Sequence, residues 1–404
     1  MYDVYKIRKD FPVFLNNKTV YLDNAATTYK PQVVIDAVTD YLSKETANSG
    51  RGDYRDAYLV DKRVDETRIL VKKFINSKYA EEIVFTQGTT ASLNMIAVCY
   101  GEKFLKANDE ILISIAEHSS NTLPWVEVAR KTGAKIIYMP LTEDGLITPK
   151  LVKEHMTKKT KIVSLVHVSN VLGYVNDVKK IAKIVHDMGA IIVVDGAQSV
   201  PHLPVDVQDM NIDFLAFSGH KMLAPTGIGI LYGKKHLLEK MDPYQMGGGM
   251  NISYDKEGNY ELFKVPHRFE AGTLNIEAIY GLHAAIEYLN KIGMDNIAKH
   301  EHKLRRYAVA KLKEMDHVIL YNENAETGII TFNIKGVFSQ DIATYLNSKN
   351  VAVRSGQHCA KFIKEYIGEI GTVRASLYLY TTKEEIDTFL KAVETSENYL
   401  DAYF

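Results

Sequence analysis

The chain has 404 residues, 46% apolar and 25% charged, which excludes a fibrous, low-complexity or disordered protein and leaves room for more than one core. Lys and Arg (49) nearly cancel Asp and Glu (50), so no strong field points to nucleic acid or an anionic membrane surface as the main partner. Two cysteines, Cys99 and Cys359, exclude a disulfide framework and a multi-cysteine metal site, and no metal is expected. No apolar run reaches membrane-spanning length, and MYDVYKIRKDFPVF lacks the apolar segment of a signal peptide. A cytoplasmic protein without a membrane contact is the expectation.

Short runs rich in Val and Ile recur along the chain: IVFT (83–86), ILISI (111–115), KIIYM (135–139), KIVSLV (161–166), AIIVVD (190–195), FLAFS (214–218) and GIGILY (227–232). Each reads as a buried strand. Between them, segments such as 119–132 and 178–188 repeat apolar positions every three or four residues and read as helices. That alternation predicts a mostly parallel, seven-stranded sheet covered by helices, with ligands bound beyond the carboxyl ends of its strands. The glycine- and charge-rich stretch 247–261 reads as a surface loop or crossing. After Gly281 come a long helix, GIITFNIKG (328–336), a helix near 340–349, VAVRS, another helix, VRASLYLY and a last helix from Lys383. The expected fold is therefore α/β, with a large domain at 17–280 and a smaller α+β domain at 281–404, residues 1–16 packing on the latter.

Polar residues stand where the apolar runs stop. Asp195 closes AIIVVD, KIVSLVHVSN delivers His167 and Asn170, and FLAFSGHK delivers Ser218, His220 and Lys221 to the same edge. A cap for the following helix is the simpler alternative for Asp195. IVFTQGTT ends with Gly88, Thr89 and Thr90 opening a helix, where free N–H groups attract a phosphate; ILISIAEH adds His118. A lysine is costly to bury unless its charge is removed or used. Amine, carboxylate, phosphate cradle and histidine together form the set that pyridoxal phosphate (PLP) requires. Cys99, in the apolar MIAVCYG, reads as a small buried hydrophobe. Cys359, in VAVRSGQHCAKF, has polar and glycine neighbours that suit an activatable thiol. Arg374, in VRASLYLY, reads either as a structural ion pair or as a bidentate grip on a carboxylate.

YLDNAATT, FTQGTT, EHSSN, HVSNVLG, VDGAQSVPH, SGHKMLAPTGIGILY, RFEAGTLN and RSGQHCA with RAS occur in that order over nearly the whole chain. Together they resemble the cysteine desulfurases among the fold-type I, class V PLP enzymes. The RxGxHCA form and the short cysteine segment are more similar to the SUF-type group than to the NifS-type group. The resemblance implies that Lys221 links to the coenzyme and that Asp195 pairs with its ring nitrogen. It further implies that His118 stacks on the ring and takes part in catalysis, with Asn170 and Gln198 near the phenolic oxygen. Thr89, Ser218 and His220 would hold the phosphate. Thr273 would reach the phosphate of a neighbouring subunit, which implies a homodimer with shared active sites. Arg374, with Arg354 and Asn170, would hold the substrate, and Cys359 would attack its sulfur.

The implied activity converts L-cysteine to L-alanine, leaving sulfur as a persulfide on Cys359 for an acceptor or scaffold protein of iron-sulfur cluster assembly. A selenocysteine lyase or another class V lyase or aminotransferase is the rival, and Cys359 discriminates, because relatives that move no sulfur need no thiol there. An ordinary thiol is only a few per cent ionised near neutrality, so a neighbour must help, His358 and the coenzyme being the candidates. The chain departs from the family pattern at Ser119, Gly50 and Gln357, where histidines are usual, and at Leu274, where proline is common; the loop 247–252 is one residue shorter.

Overall fold

The structure, a computed structural model, describes residues 2–50 and 52–403. Seven strands form the central sheet: β1 (Ile83–Thr86), β2 (Glu110–Ser114), β3 (Lys135–Met139), β4 (Thr160–Val166), β5 (Ile191–Asp195), β6 (Phe214–Ser218) and β7 (Gly229–Gly233). Their order is β1-β7-β6-β5-β4-β2-β3, and only the pairings of β7 are antiparallel. The expected α/β class and mostly parallel seven-stranded sheet are therefore present.

The apolar runs are nearly continuous because both faces of the sheet are covered. Alternate residues divide between two cores: Ile192, Val194, Leu215 and Phe217 enter one, and Val193, Phe214 and Ala216 the other. The helices Val178–Asp187 and Ile276–Ile292 close the first face, through residues such as Ile181, Val185, Ile279 and Leu282. The helices Thr89–Ile96 and Leu123–Thr132 close the second, through Leu93, Ile96, Trp125 and Val128. Each fully buried Val, Ile, Leu or Phe contributes about 1.5 to 3 kcal/mol, so a strand displaced by one residue would forfeit most of its packing.

A second, antiparallel sheet follows in the order β8-β9-β11-β10, where β8 is Val318–Leu320, β9 Ile329–Ile334, β10 Arg354–Gly356 and β11 Thr372–Ser376. Its core takes Ile330, Phe332 and Val373 from the strands and Leu304, Ala308 and Leu312 from the helix Met294–Leu312. A cut between residues 280 and 281 falls inside the helix Ile276–Ile292, whose Ile279, Leu282, Ile286 and Leu289 all pack on the large sheet. The helix starts at the cap Asn275, whose side chain accepts from Ala278 N–H. Near the N-terminus, Tyr5 and Arg8 bond to Glu384 and Glu385, while Asp10 accepts from Tyr288 on the large-core helix.

The stretch expected as a loop at 247–261 contains an exposed antiparallel hairpin, Asn251–Tyr254 with Tyr260–Leu262. Its turn is fixed by the Asp255 carboxylate, which accepts from Asn259, and by Gly258 at φ +92°. Cys99 is buried on a short π-helical turn, and burial pushes its thiol up to about 12. Among the described residues no helix is long and apolar enough to cross a membrane.

Candidate active site

Register places the polar strand ends side by side. Val166, Asp195 and Ala216 are laddered neighbours across β4, β5 and β6, and Ser218, Gly229 and Thr86 are neighbours across β6, β7 and β1. Immediately after β6 a single 3-10 turn, Gly219–Lys221, points the lysine back over the edge. That turn is gripped through the His220 carbonyl, which accepts from Thr28 N–H (3.1 Å), the Thr27 hydroxyl (3.2 Å), the Thr28 hydroxyl (3.1 Å) and Lys30 Nζ (3.1 Å). Four donors on one oxygen fix the origin of the Lys221 side chain.

Val166, Asp195, Ser218, His220 and Lys221 line a cavity of about 210 Å³ that also receives Asn170, Arg354, Cys359 and Arg374. Burial lowers the Lys221 amine to about 8; Asp195 opposes the shift, and Arg374 and Arg354 add to it. Asp195 is 3% exposed. Burial raises its pKa, against the pull of the Ala197 N–H (2.9 Å) and of Lys221. No helix lies between β5 and β6 among the described residues, so the Ala197 bond belongs to a turn and the simpler reading of Asp195 as a helix cap does not hold.

At the far end, Gly88 caps the helix Thr89–Ile96 without a side-chain bond, and Ser218 Oγ accepts from Thr89 N–H at 2.8 Å while also touching the Thr89 hydroxyl at 2.7 Å. A Cβ at position 229 would lie 2.3 Å from the Gly88 Cα, so glycine at 229 is what lets this helix start against β7. The result is a helix N-terminus with two hydroxyls beside it, a cradle suited to phosphate.

His118 forms the opposite wall. Its Nδ1 accepts from Ser120 N–H at 3.1 Å, which places the proton of the neutral ring on Nε2. Burial, with Lys221 and the two arginines, lowers it to about 4. Glu117 anchors the same turn from beneath, accepting from Ser114 Oγ (2.5 Å) and Asn121 Nδ2 (2.6 Å); burial raises it to about 8 against both of those bonds.

Cys359 arrives from the second sheet, on the segment between β10 and β11, and is exposed. His358 and Cys359 are consecutive left-handed residues, at φ +50° and +58°. Such a conformation costs about 1 to 3 kcal/mol per non-glycine residue and persists only where the surroundings over-determine it. Three contacts do so. Asn170 Nδ2 donates to the His358 carbonyl (2.8 Å), and His358 Nε2 donates to the Thr372 carbonyl (3.1 Å). Ser119 donates twice to the Cys359 carbonyl, from its N–H (2.7 Å) and its hydroxyl (2.8 Å). Burial lowers His358 to about 3, with Arg374 adding to the shift. Its ring is therefore neutral and a weak base, which counts against it as activator of the thiol.

Arg374, on β11, is 2% exposed. Nη1 donates to the Asn170 carbonyl (2.9 Å), Nη2 pairs with Asp23 (3.1 Å), and Nε has no partner. The structural ion pair is therefore real, and each terminal nitrogen retains a second N–H for a ligand. Of the residues that the sequence brings to the site, His167 and Thr273 do not line this cavity. His167 is buried beneath the sheet edge, its N–H bonded to the Asp195 carbonyl. Thr273 is exposed and borders a separate cleft with Gly248, Arg68 and Glu270. Sequence reasoning missed Asp23, Ser119 and Glu117 as site residues, although YLDNAATT and EHSSN contain all three.

The profile of the aminotransferase class-V family matches residues 20–389. The chain belongs to the class-V aminotransferase family. Within that family it is 45% identical over 408 residues to a protein of Halalkalibacterium halodurans named probable cysteine desulfurase, covering 100% of both chains. It is also similar to the solved cysteine desulfurase CsdA of Escherichia coli, at 36% identity and TM-score 0.92 over 99% of each chain. Apo cysteine desulfurase from Thermococcus onnurineus NA1 is similar at 38% identity and TM-score 0.92, over 96% of this chain and 97% of that one. The cofactor of this class-V enzyme is pyridoxal phosphate. The cavity fits it by its own chemistry. A lysine of lowered pKa and a buried carboxylate share the space with the helix-terminus cradle, and the side-chain oxygens of Asn170 and Gln198 are buried without partners.

Proposed function

We propose that this enzyme is a cysteine desulfurase that converts L-cysteine to L-alanine and keeps the sulfur as a persulfide on Cys359. The observation that carries the reading is an exposed thiol on the cavity that also holds Lys221, Asp195 and Arg374. A class-V aminotransferase or lyase that moves no sulfur has no use for a thiol held at that point in a strained backbone.

When bound, PLP supplies an aldehyde for an amine and a ring that withdraws electrons from the substrate Cα. Lys221 would carry it, Asp195 would face the ring nitrogen, and His118 would lie against the ring. Asn170 and Gln198 would flank the phenolic oxygen, and Thr89, Ser218 and His220 would hold the phosphate. Arg374 holds the substrate carboxylate through its remaining N–H groups, with Arg354 beside it. Lys221 Nζ, at about 8, is poised near neutrality to take the Cα proton and return one later. Cys359 Sγ attacks the substrate sulfur as thiolate: the S–S bond forms, the Cβ–S bond breaks, and its electron pair stays with the carbon skeleton. Protonation there gives alanine, so one cysteine and one protein thiol become one alanine and one persulfide.

The exposed Thr273, set in a cleft apart from Lys221, supports a homodimer in which each copy completes the other's phosphate site. The persulfide would pass to an acceptor or scaffold protein of iron-sulfur assembly in the cytoplasm. Residues from Gly293 onward would form the smaller domain. In the test, Cys359→Ala holoenzyme keeps its cofactor absorbance but forms no alanine from cysteine. Undiminished alanine formation by that variant would overturn desulfuration through this thiol.

A further inference from the structure

Cys359 and His118 come from segments about 240 residues apart, yet reaction requires the thiol to be set against the coenzyme side of the cavity to within a fraction of an ångström. One residue touches both. Ser119 follows His118 directly, and its N–H and hydroxyl both donate to the Cys359 carbonyl, at 2.7 and 2.8 Å. The carbonyl belongs to the second of two left-handed residues, and that strain relaxes by rotation about the Cys359 N–Cα bond. Such a rotation would swing the carbonyl out and carry Sγ with it. Two donors on the oxygen oppose it.

We propose that the Ser119 hydroxyl is a positioning group, locking the Cys359 peptide so that the thiol keeps its distance from the His118 wall. This inference rests on the desulfurase reading. Ser119 acts only through Cys359. The main-chain bond survives any substitution at 119, so removing the hydroxyl loosens the thiol without releasing the segment.

The test compares Ser119→Val with its isostere Ser119→Thr, and with Ser119→Ala, as holoenzymes. Single-turnover alanine formation from L-cysteine is followed alongside half-saturation by cysteine, spectral binding of L-alanine and cofactor retention. Loss of one hydrogen bond to the carbonyl is expected to slow the single-turnover rate about tenfold in the valine and alanine variants. Half-saturation, L-alanine binding and cofactor retention stay at wild-type values, and threonine restores the rate. A valine variant as fast as wild type overturns the inference, as does a threonine variant as slow as valine, or a loss that follows cofactor release or weaker substrate binding. If one hydroxyl-free variant fails to fold, the other, set against threonine, decides by the same criteria. A wild-type enzyme that forms no alanine overturns the desulfurase reading and this inference with it, whereas turnover by wild type beside an unimpaired valine variant overturns this inference alone.

Discussion

On the sheet side of the cavity, Asp195 and Ser218 stand at the ends of laddered strands, and Lys221 on the turn just beyond, so that each neighbour's position follows from register. On the thiol side, Cys359 belongs to no strand or helix and occupies a conformation that its own backbone disfavours. Ser119 holds its carbonyl, and Asn170 and Thr372 hold the adjoining His358, contacts that span between 14 and 240 positions of sequence. The coenzyme side is rigid because the fold is rigid, whereas the thiol side is placed by a handful of hydrogen bonds and can be tuned one bond at a time. The proposed role, in which the thiol first meets a substrate and then hands sulfur onward, suits the second kind of support.

The sharpest way to break this comparison is at Gly229. An added Cβ would lie 2.3 to 2.8 Å from backbone atoms of Gly88, which no rotamer can relieve. Gly229→Ala is expected to cost about 3 kcal/mol of unfolding free energy, read by denaturant titration, and to weaken PLP retention. A variant of normal stability would show that the cradle is softer than its ladder suggests.

Arg374 spans the two sides, bonding Asn170 and Asp23 while lining the cavity. Lysine keeps the charge but not the fork. Arg374→Lys is expected to reduce kcat/KM about 10- to 100-fold, the loss of one charge-assisted bond or slightly more, with persulfide still formed at saturating cysteine. The smallest effect concerns pH. Because the Lys221 amine titrates near 8 rather than at the usual lysine value, its neutral fraction rises with pH through that point. The rate at which Lys221 of the apoprotein takes up PLP should increase about fivefold from pH 7 to 8, nearly double again by about pH 9 and level off above that. A rate still climbing steeply at pH 10 would mean that burial does not lower the amine.

Most of the sheet side is legible in the sequence, because strands covered on both faces show as unbroken apolar runs and the chemistry sits where those runs stop. Asp195 after IIVV and Lys221 after FLAFSGH are readable on that ground alone. The thiol side is legible only as a motif. Nothing in RSGQHCA marks two consecutive left-handed residues, because neither is glycine, the usual signal for that conformation. The Ser119 grip and the Arg374–Asp23 pair join positions 240 and 351 apart, which composition and periodicity do not register. The start of the helix Ile276–Ile292 is written in the sequence as Asn275, which ends the polar stretch EAGTLN and accepts from Ala278 N–H; a boundary at Gly281 overlooks that cap.

The central claim is that Cys359 receives sulfur at a cavity built around Lys221. Incubation of the holoenzyme with one equivalent of L-cysteine, followed by mass measurement of the peptide containing Cys359, tests it most directly. The expected result is one added sulfur on that peptide, matched by one alanine per site and removed by a thiol reductant. Alanine released in that amount while the Cys359 peptide keeps its unmodified mass would contradict it.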